Sequence, residues 1–357
     1  MRMGNCMKIG IAGAGIAGRL LAWQMIKKGY EVTLFDKNSL NSEAACSFAA
    51  AGILSPLAEL EMAEPTIFEL GSRSMQLYPE LIKELEQSVF YRQIGSLVAA
   101  HSSDKVELNH FHRMLKHKLD RCDDYVQNIA IADKEPELAH MGEGLWVTNE
   151  GQVDTIGLLN ALQQGLLKKG IEWKERVEVE AIEPGQIKTN TETYSFDWVF
   201  DCRGMGAKNE LSLRAVRGEL LWLQAEDVKI EHLTRLVHPR YRIYIVPRPN
   251  DIYLLGATEI ESEDYSPVSV RSSLELLSAA YSLHKSFGEA RIIKQIVNCR
   301  PALPDNLPTV ELEDGAGKIN GLYRHGILLA PAVVEQMMIK FDQAIRSQTE
   351  GENAVNS

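Results

Sequence analysis

The 357-residue chain is 45% hydrophobic and 24% charged, an ordinary globular balance with room for two domains or one large domain with an insertion. Its formal net charge of -11 disfavours nonspecific attraction to nucleic acid or to an anionic membrane. Five scattered cysteines (Cys6, Cys46, Cys122, Cys202, Cys299) with no CxxC pair argue against a disulfide framework and against a zinc site, and no apolar run has the length that spans a bilayer.

The opening MRMGNCMKIGIAG lacks a signal-peptide layout, so a cytoplasmic location is expected, with residues before Met7 a loose extension. KIGIA (Lys8 to Ala12) reads as a strand. GAGIAG (Gly13 to Gly18) follows, then RLLAWQMIKKG, a helix closed by Gly29. YEVTLFDK is a buried-type strand ending at Asp36. Thr66 to Ser88 has a helical pattern broken or kinked at Pro79. Short strands and a basic amphipathic helix near Leu108 to Leu119 come next, and the run HRMLKHKLDR reads as a solvated helix face. Val153 to Gly170 is amphipathic, capped by Asp154 or Thr155. Strand patterns dominate Leu213 to Ile260, Ser272 to Phe287 is helical, and a final helix is expected over Ala332 to Ser347. Residues 348–357 are polar and expected to be a disordered tail.

GxGxxG alone is a weak signal. Here it follows a strand, opens a helix, and is answered by Asp36 eighteen residues after Gly18, the context of a dinucleotide-binding βαβ unit. Gly13 permits the tight turn, Gly15 lets backbone approach a pyrophosphate, and Gly18 lets helix and strand pack closely. The helix N-terminus offers N–H groups to phosphates, and Asp36 can accept from ribose hydroxyls. The motif serves NAD and FAD alike. No second nicotinamide-type βαβ unit follows directly. CSFAAAGILSP (Cys46 to Pro56) comes instead, and its small residues let backbone lie close to a flat ring system.

GAGIAG, CSFAAAGILSP, EGQVDTIGLLNAL, DCRG, RAVRGELLWL, RIYIVPRP, LLGATEIE, CRPALPDNLP and GLYRHGILLAP occur in that order over about residues 8–340. With them the sequence resembles glycine oxidases of the thiamine-pathway type, in the FAD-dependent D-amino-acid oxidase superfamily. The resemblance implies an α/β fold: a Rossmann-type FAD-binding domain (7–90, 146–214 and 296–347) and an interleaved antiparallel-sheet substrate domain (91–145 and 215–295). It implies noncovalent FAD, held by Gly13, Gly15, Ile16, Ala17, Gly18, Asp36 and Lys37 at the ADP half. Ser47, Ala50, Ala51 and Gly52 would lie near pyrophosphate and flavin, Val177 would meet the adenine through its backbone, and Gly204 would flank the cofactor. Arg324 would sit beside flavin and substrate, while His325, Gly326, Ile327 and Leu328 would present backbone to the flavin. Arg300 would clamp a substrate carboxylate, and Tyr244 would donate its hydroxyl to the same group. Departures fall at Asp36, where the family often has glutamate, and in the pocket: Ile53 for a methionine, Arg242 for a histidine, Glu259 for an apolar residue.

Amine oxidation by flavin needs no protein nucleophile. The cofactor carries the hydride chemistry and the protein orients the substrate. An arginine fork is the group that best fixes a carboxylate. The resemblance thus implies oxidative deamination of glycine or another small amine, with dioxygen as acceptor and hydrogen peroxide as product, feeding thiazole formation for thiamine. Two other readings stay open at this point: a same-fold oxidase acting on an amine of a partner protein or modified tRNA, and a non-enzymatic FAD-binding module. Homo-oligomerisation is also left open. No metal-ligand spacing is present among the histidines, and no metal is expected.

Overall fold

A computed structural model describes residues 6–240 and 242–355. All but Cys6 of the expected N-terminal extension, and the last two residues of the expected tail, lie outside that range. Lys8–Ala12 and Glu31–Asp36 each bury four successive residues, the continuous burial of parallel strands covered on both faces. They sit in a six-stranded sheet ordered Thr309–Glu313, Ala316–Asn320, Trp198–Asp201, Lys8–Ala12, Glu31–Asp36, Glu172–Glu175. Its neighbours run parallel except for the first pair, an antiparallel hairpin. Leu20, Leu21 and Met25 of the Ile16–Lys27 helix, Leu159 and Leu162 of Thr155–Lys168, and Met337 and Phe341 of Gly326–Val355 join Ile9, Ile11 and Leu34 in one core. Asp154 caps the Thr155–Lys168 helix by accepting from Ile156 N–H at 3.2 Å.

The second layer is a nine-stranded sheet that includes Arg214–Gln224, Leu233–Val237, Arg242–Arg248, Ile252–Gly256 and Arg291–Ala302. Pairing is antiparallel except where Leu233–Val237 runs parallel to Ser96–Ala99. Leu276, Ala279, Ala280 and Leu283 of the Val270–Leu283 helix cover one face. The strands cross the domain boundaries expected from sequence. Arg291–Ala302 pairs with Arg214–Gln224 along its whole length, through residue 296, and Glu143–Val147 stays in this sheet through residue 146.

Two helices run through prolines. Pro65–Glu84 runs unbroken through Pro79. The last helix begins at Gly326, not Ala332, and carries Pro331 inside it. Proline has no N–H, so the Ile327 carbonyl, four residues back, loses its helical donor. The Tyr78 hydroxyl supplies the missing hydrogen bond at 2.5 Å, and Ser74, one turn earlier on the same helix, accepts from Ala332 N–H at 3.1 Å. A neighbouring helix thus completes the ladder that the sequence interrupts. Tyr78→Phe should strand the buried carbonyl and destabilise the protein by about 1–3 kcal/mol. Urea unfolding of the two proteins, compared at equal slope, measures this. The helix also continues to Val355 where a disordered tail was expected, and Gln348 donates to Asp314 Oδ1 at 2.7 Å on that extension.

Candidate active site

A cavity of about 1210 Å³ is lined by the glycine turn and by residues of both sheets. Gly13 has φ +97°, and a side chain there would meet the Cys202 carbonyl oxygen at 2.4 Å. Gly18 does not line the cavity. A Cβ on it would lie 1.8 Å from the Gly13 carbonyl oxygen, so it is the packing glycine of the turn. Asp36 binds the turn directly: its Oδ2 accepts from Ala14 N–H at 2.7 Å and its Oδ1 from Asn38 N–H at 2.8 Å. Ser47 Oγ accepts from Ile16 N–H at 3.0 Å and so caps the first helix from a distant segment. Val177 spends its N–H on the Asp36 carbonyl at 2.9 Å, which leaves only its own carbonyl to face a ligand. Lys37, Ala17 and Gly204 also line the cavity.

The Ala50, Ala51 and Gly52 segment is held by groups that sequence reasoning missed. Arg248 donates to the carbonyls of Ala51 at 2.6 Å and Val153 at 2.8 Å, and Thr155 Oγ1 donates to the Ala50 carbonyl at 2.9 Å. Gly52 is required there, with φ +72° and the Val153 carbonyl oxygen 1.9 Å from where a Cβ would stand. His325, Gly326, Ile327 and Leu328 reach the cavity at the start of the last helix. Two helix N-termini therefore open onto one space, each with first-turn N–H groups and a partial positive charge.

One stretch of the polar wall groups Arg235, Arg242, Arg300 and Arg324 with Glu59, Glu61 and Glu259. Glu59 lies 2.5 Å from Arg235 Nη2 and 3.0 Å from Arg324 Nη2, and its Oε2 is 3.0 Å from His325 Nε2. Burial pushes the Glu59 carboxyl up, but Arg324, Arg235 and His325 together hold it well below the usual carboxylate range. The short helix Pro56–Glu59 that carries it is fixed by Ala58 N–H, which donates to the buried Glu150 Oε1 at 2.7 Å. Glu259 takes Arg324 Nη1 at 3.0 Å and the Tyr323 hydroxyl. Glu61 pairs with Arg242. Within this group Arg300 alone forms no ion pair among the described residues. Its Nη1 donates to the Thr258 carbonyl at 3.1 Å. Its guanidinium lies against Gly218, where a Cβ would come within 2.3 Å of Nη2. Burial raises the Tyr244 hydroxyl above its ordinary pKa, so it keeps its proton as a donor.

The structure brings Arg300, Tyr244, Arg324, Ile53, Arg242 and Glu259 to the same cavity as the glycine turn. Arg324 shares its charge between two carboxylates, Glu59 and Glu259. Glu59 and Arg235 were not singled out from sequence. Glu59 lies 266 positions from His325, and no local pattern signals such a pairing.

These residues fit FAD. A βαβ turn whose Gly13 and Gly18 leave no room for a side chain, an acid at the end of the second strand, two helix N-termini and a cavity large enough for a dinucleotide are present together. The fold and site define a dinucleotide-binding oxidoreductase of the class that pairs a Rossmann-type domain with an antiparallel sheet. The chain belongs to the DAO family, FAD dependent oxidoreductases, whose model matches residues 8–337. It is 36% identical over 333 residues to a Rhizobium etli protein named provisionally as the thiamine biosynthesis oxidoreductase ThiO, covering 93% of this chain and 95% of that one. Glycine oxidase of Geobacillus kaustophilus is 26% identical over 368 residues and 96% of each chain, and its crystal structure superposes with a TM-score of 0.79. The crystal structure of Bacillus cereus glycine oxidase gives a TM-score of 0.80 at 23% identity, covering 93% of this chain and 96% of that one. The protein is an FAD-dependent oxidoreductase of the ThiO and glycine oxidase type. Among the described residues no helix is long and apolar enough to cross a membrane.

Proposed function

We propose that the protein oxidises glycine or a similarly small amino acid with dioxygen, giving an imine and hydrogen peroxide, and that water then converts the imine to a keto acid or aldehyde and ammonia. The observation that carries this reading is Arg300: a cavity-lining guanidinium without a carboxylate partner among the described residues, in a cluster where the other arginines have one. A monocarboxylate balances it one for one. Bound FAD supplies the hydride acceptor for the substrate Cα–H bond.

The chain's own work is binding and orientation. Arg300, flat against Gly218, offers its remaining N–H groups to a carboxylate in the paired geometry that guanidinium favours. The protonated Tyr244 hydroxyl is a second donor. Such fixing of a reactive bond contributes on the order of 7–11 kcal/mol in favourable cases. Gly13, Gly15, Asp36 and Ser47 would hold the ADP half, and the start of the last helix would face the ring system. The link to thiamine biosynthesis rests on the name of the Rhizobium relative. Noncovalent attachment accords with Cys46, a cavity thiol that burial pushes up to about 11 and so keeps protonated. Five free thiols suit a reducing compartment such as the cytoplasm.

The test is a panel of amines added to the yellow holoprotein without oxygen. Glycine or sarcosine should bleach the visible flavin band, and air should restore it with peroxide release. An absorbance left unchanged by the whole panel would sink the oxidase reading.

A further inference from the structure

The buried pair Arg217 and Glu219 lies on the strand that faces Arg300. In the antiparallel register Val216 stands opposite Arg300, and Glu219 opposite Val297. Glu219 is fully buried and Arg217 is 4% exposed. Arg217 Nη2 donates to Glu219 Oε1 at 2.7 Å and Nε does so at 3.1 Å. A buried ion pair is weak support for stability, because its desolvation cost offsets most of the attraction. Its connections point to another role.

Glu219 grips Thr258 twice. Its backbone N–H donates to Thr258 Oγ1 at 3.0 Å, and Thr258 Oγ1 donates to Glu219 Oε2 at 3.1 Å. The Thr258 carbonyl in turn accepts from Arg300 Nη1 at 3.1 Å. Farther along the same segment, Arg217 donates to the carbonyls of Asp264 at 2.6 Å and Pro267 at 2.9 Å, and Ser269 N–H donates to Glu219 Oε1 at 3.3 Å. One strand thus pins residues 258–269 at both ends.

The chemistry of the links matters. A carboxylate placed directly on Arg300 would orient it and also cancel its charge. A neutral carbonyl orients it and leaves the charge whole. We propose that Glu219 and Thr258 are positioning residues for Arg300: the Glu219 carboxylate locks the Thr258 hydroxyl, the locked residue aims its carbonyl at Nη1, and the other edge of the guanidinium is held ready for a substrate carboxylate. Gly218 completes the arrangement, since its missing side chain is what allows the guanidinium to lie against the strand.

This inference rests on the Arg300 reading above, and the experiment separates the two. Holoprotein is titrated with acetate, a carboxylate with no oxidisable amine, by calorimetry and by the flavin absorbance change, and kcat and KM for glycine are measured beside it. Thr258→Val removes the hydroxyl and keeps the shape. It should raise the acetate Kd and the glycine KM by about 10-fold, with kcat within about 3-fold and FAD content unchanged. Glu219→Gln should move the same quantities in the same direction, and Thr258→Ser should restore binding to within about 2-fold of the parent. If Arg300→Ala weakens acetate binding while Thr258→Val does not, the clamp stands and the positioning chain is overturned. The chain is overturned equally if Thr258→Ser binds as poorly as Thr258→Val. If Arg300→Ala leaves acetate binding intact, both readings fall. Should Glu219→Gln not fold, the two threonine variants decide alone.

Discussion

Arg300→Ala is expected to lower kcat/KM for glycine by about 1000-fold, while the protein remains yellow. Two hydrogen bonds to a charged group are at stake, at about 1.5–3 kcal/mol each, and about 1.4 kcal/mol corresponds to a factor of ten. The side chain holds no carboxylate among the described residues, so its removal leaves no buried anion there unpaired. That distinguishes it from its neighbours. Arg300→Lys keeps the charge and loses the planar fork, so it should recover part of the loss and not all of it. Steady-state kinetics with glycine, and acetate titration of each variant, check both statements. An alanine variant with parental kinetics would remove Arg300 from substrate binding.

Glu59→Ala is expected to act on the fold. Glu59 contacts Arg235, Arg324 and His325 together. Without it, buried positive charge loses its partner, and the expected cost is about 3–5 kcal/mol. Denaturant unfolding of the holoprotein measures it. The pH dependence has a definite sign. Because the folded carboxyl titrates below its unfolded counterpart, the contribution is fully present above the ordinary glutamate pKa, and it is lost as pH falls through the lower folded value. The parent should therefore lose stability on acidification more steeply than Glu59→Gln, which has no proton to take up at this site. Equal slopes for the two proteins at acidic pH would show that the cluster does not carry this linkage.

What could be read from sequence was what local chemistry fixes. The turn from Gly13 to Gly18, with Asp36 after it, has spacings set by a single βαβ unit, and in the structure Gly13 and Gly18 pack tightly in the turn while Asp36 accepts from Ala14 N–H within it. Arg300, Tyr244 and Arg324 were legible because recognisable motifs carry them. Their electrostatics were not. Whether Arg324 is free or paired depends on Glu59, which a separate short helix brings in and the buried Glu150 holds in place. The start of the last helix differs from expectation for a similar reason. Proline is a sound local stop signal, yet Gly326–Val355 runs through it, and a hydroxyl from another helix takes up the carbonyl it strands. The polar tail differs because its composition gives no hint that Gln348 meets Asp314. In each case the deciding partner lies in a distant segment.

The strand order of the six-stranded sheet has a consequence for how the protein is made. Its central neighbours come from residues 8–12, 31–36 and 198–201, and its far edge from 309–320. A nascent chain that has emerged only as far as its first βαβ unit owns the nucleotide turn but not the strand that walls it. The last helix, which covers that core and opens onto the cavity, emerges later still. Flavin capture is therefore expected to wait for the helix that begins at Gly326, and polypeptides terminated before it are expected to be colourless.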